Sequence, residues 1–295
     1  MSDTEPTART GAGAGAEAGP GTGANAATSA GTGTARAAAG LRLVADATAH
    51  LLRSVAELPP EAVAGPSALP GWTRGHVLTH LARNADSLVN LLDGARTGRD
   101  IPQYATPEAR DQDIEDGAPR PLDLQLADLH ESAERFTMAA AALDDAAWGA
   151  EVRHRAGYVF GAFEIPWRRL VEVEYHHVDL DAGYTPAHWP ERFAVVEFHR
   201  LTAALDSRAG LPALLLVSDD TADRAHTGTA HVTPGTPATP DGAAGDDTAL
   251  TVEGPVRALT AWLSGRSDGD GLQVHRAGVQ LADARTALPK LPPMG

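Results

Sequence analysis

Residues 163–183, FEIPWRRLVEVEYHHVDLDAG, decide the fold of the first half of the chain. Their pattern predicts an amphipathic helix over about residues 162–182, with Gly183 as the expected stop. Pro166 lies near the helix start, where a proline either sets the first turn or introduces a kink. Glu172 and His176 are four residues apart, so their Cβ atoms should lie about 5 to 6 Å apart on one helix face.

A carboxylate and an imidazole at this spacing can chelate a metal ion. A catalytic zinc site needs at least three protein ligands, so a third must come from another helix. His80 is the candidate, because it lies in mid-helix among apolar residues and helix bundles commonly hold inward-facing metal sites. His177 points about 100° away from His176 and should not join the site, whereas Asp179 could support it. On spacing alone, a structural role for these histidines stays open.

Three further helices are predicted in the same half of the chain. The first runs from Leu41 to Pro59, the second from an N-cap at Thr73 to Gly94, and the third from Leu122 to Leu143. The polar connection from Thr97 to Arg120 is long enough for a crossover or an active-site loop. Four helices within residues 41–185 predict a four-helix bundle.

The two ends of the chain have a different character. Residues 1–40 contain no Val, Leu, Ile, Phe, Trp or Tyr, which predicts a disordered tail because too little apolar surface can be buried. Residues 186–295 predict a smaller α/β domain, so the whole chain is assigned to the α+β class. Its expected elements are helices over 193–207 and 255–263, strands over 213–217, 228–233, 248–253 and 272–275, and a loop over 233–247.

Composition excludes several functional classes. The chain has 295 residues, a formal net charge of -15 and no cysteine. It therefore has no disulfides, cysteine-based zinc finger, iron–sulfur cluster or cysteine nucleophile, and thiol chemistry would need a borrowed thiol. The acidic balance argues against nucleic-acid binding. With no apolar run of 18 residues and no signal peptide, a cytoplasmic monomer without membrane contact is expected.

Two segments resemble a known family. Residues 69–86, LPGWTRGHVLTHLARNAD, and 169–180, RLVEVEYHHVDL, are similar to the two signatures of the mycothiol-dependent maleylpyruvate isomerase family. The resemblance spans about residues 40–290 and implies a DinB-like four-helix bundle followed by a smaller α/β domain. It also implies mycothiol as cofactor and a divalent metal, usually zinc, held by His80, Glu172 and His176.

A third segment, residues 252–266 (VEGPVRALTAWLSGR), resembles the family's C-terminal helix, in which an arginine just after the glycine contributes to the active site. The resemblance therefore implies that Arg266 is catalytic and binds the cofactor or a substrate carboxylate. Arg83, close beyond His80 on the same helix, is a second candidate for cofactor binding. For Arg83, Arg168 and Arg169, a solvated surface position is an open alternative.

The reaction implied by the resemblance converts maleylpyruvate to fumarylpyruvate. Rotation about the C=C bond becomes easy once a thiolate has added to it, and elimination then returns the thiol. The expected partners are thus a small dicarboxylate and a low-molecular-weight thiol. Two alternatives stay open: a zinc-dependent mycothiol S-transferase acting on another electrophile, and a non-enzymatic helical ligand-binding protein.

Overall fold

The computed structural model of the chain describes residues 22–206, 213–228 and 250–291, and within them it confirms the predicted α+β class. A helical domain is followed by a smaller domain built on a sheet. The helices are α1 (Thr22–Ala56), α2 (Arg74–Thr97), α3 (Pro107–Gly117), α4 (Leu122–Ala141), α5 (Asp145–Trp148), α6 (Ile165–Asp179), α7 (Glu191–Asp206), α8 (Val256–Leu263) and α9 (Ala284–Ala287). The strands are β1 (Glu151–Arg153), β2 (Val159–Gly161), β3 (Leu214–Ser218), β4 (Arg224–Thr227), β5 (Leu250–Gly254), β6 (Gln273–Arg276) and β7 (Val279–Gln280).

Helices α1, α2, α4 and α6 form the predicted bundle. Helix α2 is central, because it packs on α4 along its length and on α6 near the site described below. Thr73 is its N-cap, as predicted, and its hydroxyl accepts a hydrogen bond from the backbone N–H of His76 at 3.4 Å. Large apolar side chains are fully buried between the four helices, among them Leu51, Leu78, Leu81, Leu91, Leu92, Phe136, Ile165 and Leu170.

Helix α1 begins much earlier than the sequence predicts. The prediction of a disordered tail is wrong for residues 22–40, which are helical, while residues 1–21 lie outside the described part of the chain. Small residues explain the difference: Gly33, Ala37 and Gly40 share one face of α1 and allow it to approach the start of α6 closely. A Cβ added at Gly40 would lie only 2.9 Å from the Cβ of Pro166. Tight contact between small side chains thus replaces the large apolar residues that this segment lacks.

The connection between α2 and α4 contains helix α3, and a hairpin of β1 and β2 precedes α6. The sequence had predicted neither element. The hairpin strands are antiparallel, with Val152 opposite Phe160. The side-chain oxygen of Gln103 accepts a hydrogen bond from the backbone N–H of Arg155 at 2.8 Å, which ties the connection to the hairpin turn.

The second domain is a five-stranded sheet in the order β4-β3-β5-β6-β7, in which only the β3–β5 pair is parallel among the described strands. Helices α7 and α8 pack together and bury a second apolar cluster against the sheet. The predicted strand over 228–233 falls almost wholly outside the described residues, as does the predicted loop over 233–247. The strand that the structure shows next to β3 ends at Thr227.

Helix α7 joins the two domains. Phe193 near its start is buried in the core of the helical domain, whereas Phe198 one turn later is buried in the core of the sheet domain. Thr260 of α8 donates a hydrogen bond to the backbone carbonyl of Ala194 at 2.9 Å. The segment that follows α8 reaches the end of α6, where Nη2 of Arg266 lies 2.8 Å from Oδ2 of Asp179. None of the described helices combines the length and the apolar character needed to cross a membrane.

Candidate metal centre

His80 of α2 meets Glu172 and His176 of α6 where the two helices pack together. The Nε2 atom of His80 lies 3.0 Å from Oε2 of Glu172, and Nε2 of His176 lies 3.3 Å from the same oxygen. One ligand atom from each residue lies within 4.8 Å of the other two. The structure thus brings together the three residues predicted as metal ligands. Two imidazole nitrogens and one carboxylate form a donor set typical of catalytic zinc sites.

Local sequence explains how the two helices meet. Glu172 and His176 lie one turn apart on α6, so both face α2. Arg169, one turn earlier, is 2% exposed and donates hydrogen bonds to the carbonyl of Leu81 at 2.8 Å and to the side chain of Asn84 at 2.9 Å. Burial lowers the pKa of Arg169 to about 10, which leaves it a cation at neutral pH. Arg169 is therefore an internal link between α2 and α6, not a surface arginine.

A second carboxylate supports His176 from its other side. Oδ2 of Asp179 lies 2.8 Å from Nδ1 of His176 and also accepts a hydrogen bond from Nη2 of Arg266 at 2.8 Å. The Arg266 guanidinium lies over the ring of Tyr175, 4.2 Å from its centroid. Arg266, which follows α8, therefore reaches the site through Asp179. The C-terminal domain thereby contributes to a site built mainly by the helical domain.

The charges of the site follow from burial and from these contacts. Burial and the neighbouring His176 lower the pKa of His80, which favours a neutral imidazole. Burial alone would raise the pKa of Glu172, but hydrogen bonds with His176 and His80 outweigh it and hold this pKa well below its usual range. Burial disfavours protonated His176, yet Asp179 and Glu172 raise its pKa overall. A metal ion would therefore compete with a proton at His176.

Two neighbours of His80 were not predicted from the sequence. Nη2 of Arg110, on α3, lies 3.4 Å from Nδ1 of His80. The ring of Trp72 lies 5.6 Å from the His80 ring, measured between centroids. Trp72 lies within residues 69–86, the segment that resembles a family signature, so the sequence could have indicated it. Arg110 lies in the connection between α2 and α4. Only the expectation that this connection forms an active-site loop points toward Arg110.

The other residues considered from the sequence lie elsewhere. Nη2 of Arg83 is 2.5 Å from Oδ1 of Asp128 on α4, and it also lies 3.3 Å from Asp86. Those contacts direct Arg83 to the α2–α4 face, away from the triad. His177 points from α6 toward α1, where its Nε2 lies 2.9 Å from the hydroxyl oxygen of Ser54. His177 is therefore not close to His80, as its position on the helix predicts.

Comparison with known proteins places this site in a family. Residues 44–181 match the family described as the mycothiol maleylpyruvate isomerase N-terminal domain, and the matched range includes His80, Glu172 and His176. Residues 44–181 therefore form a domain of this family. No curated protein sequence matches the chain significantly.

Two solved structures are similar to the chain over both of its domains. One is a crystal structure of a mycothiol-dependent maleylpyruvate isomerase, with 28% sequence identity and a TM-score of 0.70. Another is a histidine-to-alanine mutant of a mycothiol-dependent maleylpyruvate isomerase, with 27% identity and a TM-score of 0.69. In both comparisons, the similarity covers 81% of this chain and 92% of the other.

Proposed function

We propose that this protein is a zinc- and mycothiol-dependent isomerase that converts maleylpyruvate to fumarylpyruvate. The observation that carries the proposal is the convergence of His80, Glu172 and His176 from two helices, in a chain without a cysteine of its own. The match of residues 44–181 to the family's N-terminal domain and the similarity to solved isomerases of that description support the same reaction.

The residues of the triad fit a catalytic zinc ion. Their three donor atoms leave a fourth position for a thiol, water or substrate, and a zinc ion in this site would supply a Lewis acid that keeps a bound thiol deprotonated. Asp179 fits the same interpretation, because histidine ligands commonly donate their other ring N–H to a carboxylate. Asp179, 2.8 Å from Nδ1 of His176, favours a proton on that nitrogen, so that Nε2 would be the atom offered to a metal in place of the proton it shares with Glu172.

A thiol nucleophile has to come from outside the chain, because the chain has no cysteine. Mycothiol would supply a thiolate whose reversible addition to the C=C bond leaves a single bond free to rotate. Substrate and product have the same atoms, so each turnover must return the thiol. The chain's part is to bind both molecules, exclude water and orient the dicarboxylate beside the triad.

The positive charge that binds the dicarboxylate must be local to the site, because the chain as a whole is strongly acidic. We propose that Arg266 fixes Asp179 and supplies positive charge at the edge of the site, consistent with its predicted catalytic role. The predicted cofactor-binding role of Arg83 stays a prediction, and its ion pairs with Asp128 and Asp86 compete with that role. A cytoplasmic location and a monomeric state also stay predictions.

The test is product analysis with the zinc-loaded protein, mycothiol and maleylpyruvate. We expect fumarylpyruvate to form while the amount of free mycothiol is unchanged. His176→Ala should abolish this conversion, and His130→Ala, which alters an exposed histidine on α4, should not. Accumulation of a thiol adduct would indicate an S-transferase instead, and the absence of any reaction with bound zinc would contradict the isomerase proposal.

A further inference from the structure

Arg110 reaches the triad from a third element, helix α3. Its Nη2 atom lies 3.4 Å from Nδ1 of His80, and its Nη1 atom lies 2.6 Å from a carboxylate oxygen of the adjacent Asp111. The Arg110 side chain is 18% exposed, so it lies at the wall of the site and retains access to solvent. The ring of Tyr104 lies 6.0 Å from its guanidinium carbon.

The character of the contact between Arg110 and His80 depends on which ring nitrogen of His80 carries the proton. A neutral imidazole has one N–H donor and one acceptor nitrogen. With Nε2 of His80 donating to Glu172, its Nδ1 accepts from Arg110. Ligation through Nε2 instead moves the ring proton to Nδ1, where it would face the N–H groups of Arg110. Metal binding through Nε2 would therefore replace an attractive contact of Arg110 with a repulsive one.

Among the described residues around the triad, Arg110 is the arginine that can be redirected at least cost. Arg266 is committed to the buried carboxylate of Asp179, and Arg169 is buried against the backbone of α2. The carboxylate next to Arg110 belongs to Asp111, whose side chain is 70% exposed, and exposed ion pairs contribute little to stability. The released guanidinium would lie beside the metal ligands with two N–H groups available for a planar anion.

We propose that Arg110 binds a carboxylate of the substrate beside the metal, and that metal binding frees it from His80 to do so. The inference rests on the proposed function and names the residue that recognises its substrate class, a small dicarboxylate. Metal and dicarboxylate should then bind with positive coupling, since each favours the released position of the same arginine.

The test is calorimetric titration of maleate, a four-carbon cis-dicarboxylate, into zinc-loaded and zinc-stripped protein. We expect maleate to bind more tightly to zinc-loaded wild type than to stripped wild type. Arg110→Gln should weaken binding to the loaded form about 10- to 100-fold, the usual range for one charge-assisted contact, and Arg110→Lys should retain part of the affinity. Arg96→Gln, which alters an exposed arginine paired with Asp93, should bind maleate like wild type.

Two further measurements distinguish a role of Arg110 in binding the carboxylate from a role in supporting the metal site. Zinc content should be unchanged in Arg110→Gln, and uncharged maleamide should bind wild type and variant alike. Equal maleate affinity in zinc-loaded wild type and zinc-loaded Arg110→Gln would overturn the inference. A loss of zinc from Arg110→Gln would overturn it as well. Neither result would contradict the isomerase proposal. Failure of wild type to bind zinc would instead contradict the proposed function, and this inference with it.

Discussion

Glu172 is the residue on which the site depends, because its Oε2 atom lies within 3.3 Å of both imidazoles. About one third of its side chain is exposed, so the carboxylate is open on one side despite its two partners. Periodicity predicts the pairing with His176, since residues four apart on a helix must share a face. The contact of Arg110 with His80 depends on how α3 folds over the bundle, which no local pattern in the sequence specifies.

Asp179 provides a test of the interactions that support the metal ligands. Asp179→Asn should lower zinc affinity about 10- to 100-fold, because an amide is a weaker partner for the ring proton of His176. Equilibrium titration against a competing chelator measures the change. The matched control is Asp181→Asn, which alters an exposed residue with a positive φ of 51° that asparagine also adopts. Equal zinc affinity in both variants would contradict this role of Asp179.

Two buried groups on the opposite side of α6 predict an unusual pH dependence of stability. Burial, with His50 and His188 nearby, lowers the pKa of His177 to about 3. Burial raises the pKa of Glu174 to about 7, although Tyr184 donates a hydrogen bond to it. Between pH 3 and 6.5 the unfolded chain binds more protons at His177, so stability rises with pH. Between pH 4.5 and 7 the folded chain binds more protons at Glu174, so stability falls with pH.

The opposite effects of His177 and Glu174 on the pH dependence of stability offset one another between about pH 4.5 and 6.5. Glu174→Gln removes the carboxyl group that makes stability fall with pH. Between pH 5 and 6.5, the free energy of unfolding of this variant should therefore increase by about 2 kcal/mol more than that of wild type. Urea denaturation with a chelator present measures the difference, with Glu57→Gln at an exposed position as control. Parallel pH profiles for Glu174→Gln and wild type would refute the prediction.

At the scale of elements, helices with regular apolar spacing were predictable and those held by close contact were not. The N-cap at Thr73 and the helix starting at Leu122 are both found as the sequence predicts. The part of α1 before Leu41 was missed because Gly33, Ala37 and Gly40 pack closely on the start of α6, and such tertiary contact leaves no local pattern in the sequence. The β1–β2 hairpin was missed because each strand has only three residues.

Two glycines of α1 test this explanation. Gly31 has nothing within 4 Å of an added Cβ, so Gly31→Ala should raise the free energy of unfolding by about 0.5 to 1 kcal/mol. At Gly40 the same methyl group would meet Pro166, and overpacking of about 1 to 3 kcal/mol should cancel or reverse that gain. Thermal and urea denaturation compare the two variants. An equal gain from both would show that α1 does not pack closely on α6.

At the scale of the whole molecule, the site is shared between the two domains. Trp189, Phe193 and the hydrogen bond from Thr260 to Ala194 hold α8 in place, and Arg266 follows α8 toward Asp179. Helix periodicity pairs the candidate metal ligands Glu172 and His176 without the C-terminal domain. The pairing of Arg266 with Asp179 could not be derived from spacing, because the two residues come from different domains.

Arg266 therefore tests whether the C-terminal domain takes part in function. Arg266→Gln should lower kcat/KM about 100-fold through loss of positive charge beside Asp179, and it should also lower the melting temperature, because Asp179 is left buried without its ion-pair partner. Steady-state kinetics and calorimetry on the same preparation separate the two effects. Arg276→Gln, an exposed change on β6, is the control. Unchanged kinetics in Arg266→Gln would remove this residue from the site.

The central claim is that His80, Glu172 and His176 form a metal centre, and metal content tests it most directly. Elemental analysis should find about one zinc per chain in wild type purified without chelators or a histidine tag. His80→Ala, Glu172→Ala and His176→Ala should each lose most of this zinc, whereas His177→Ala, on the other side of α6, should keep it. Absence of zinc from wild type even after addition, or equal zinc in all four variants, would contradict the account.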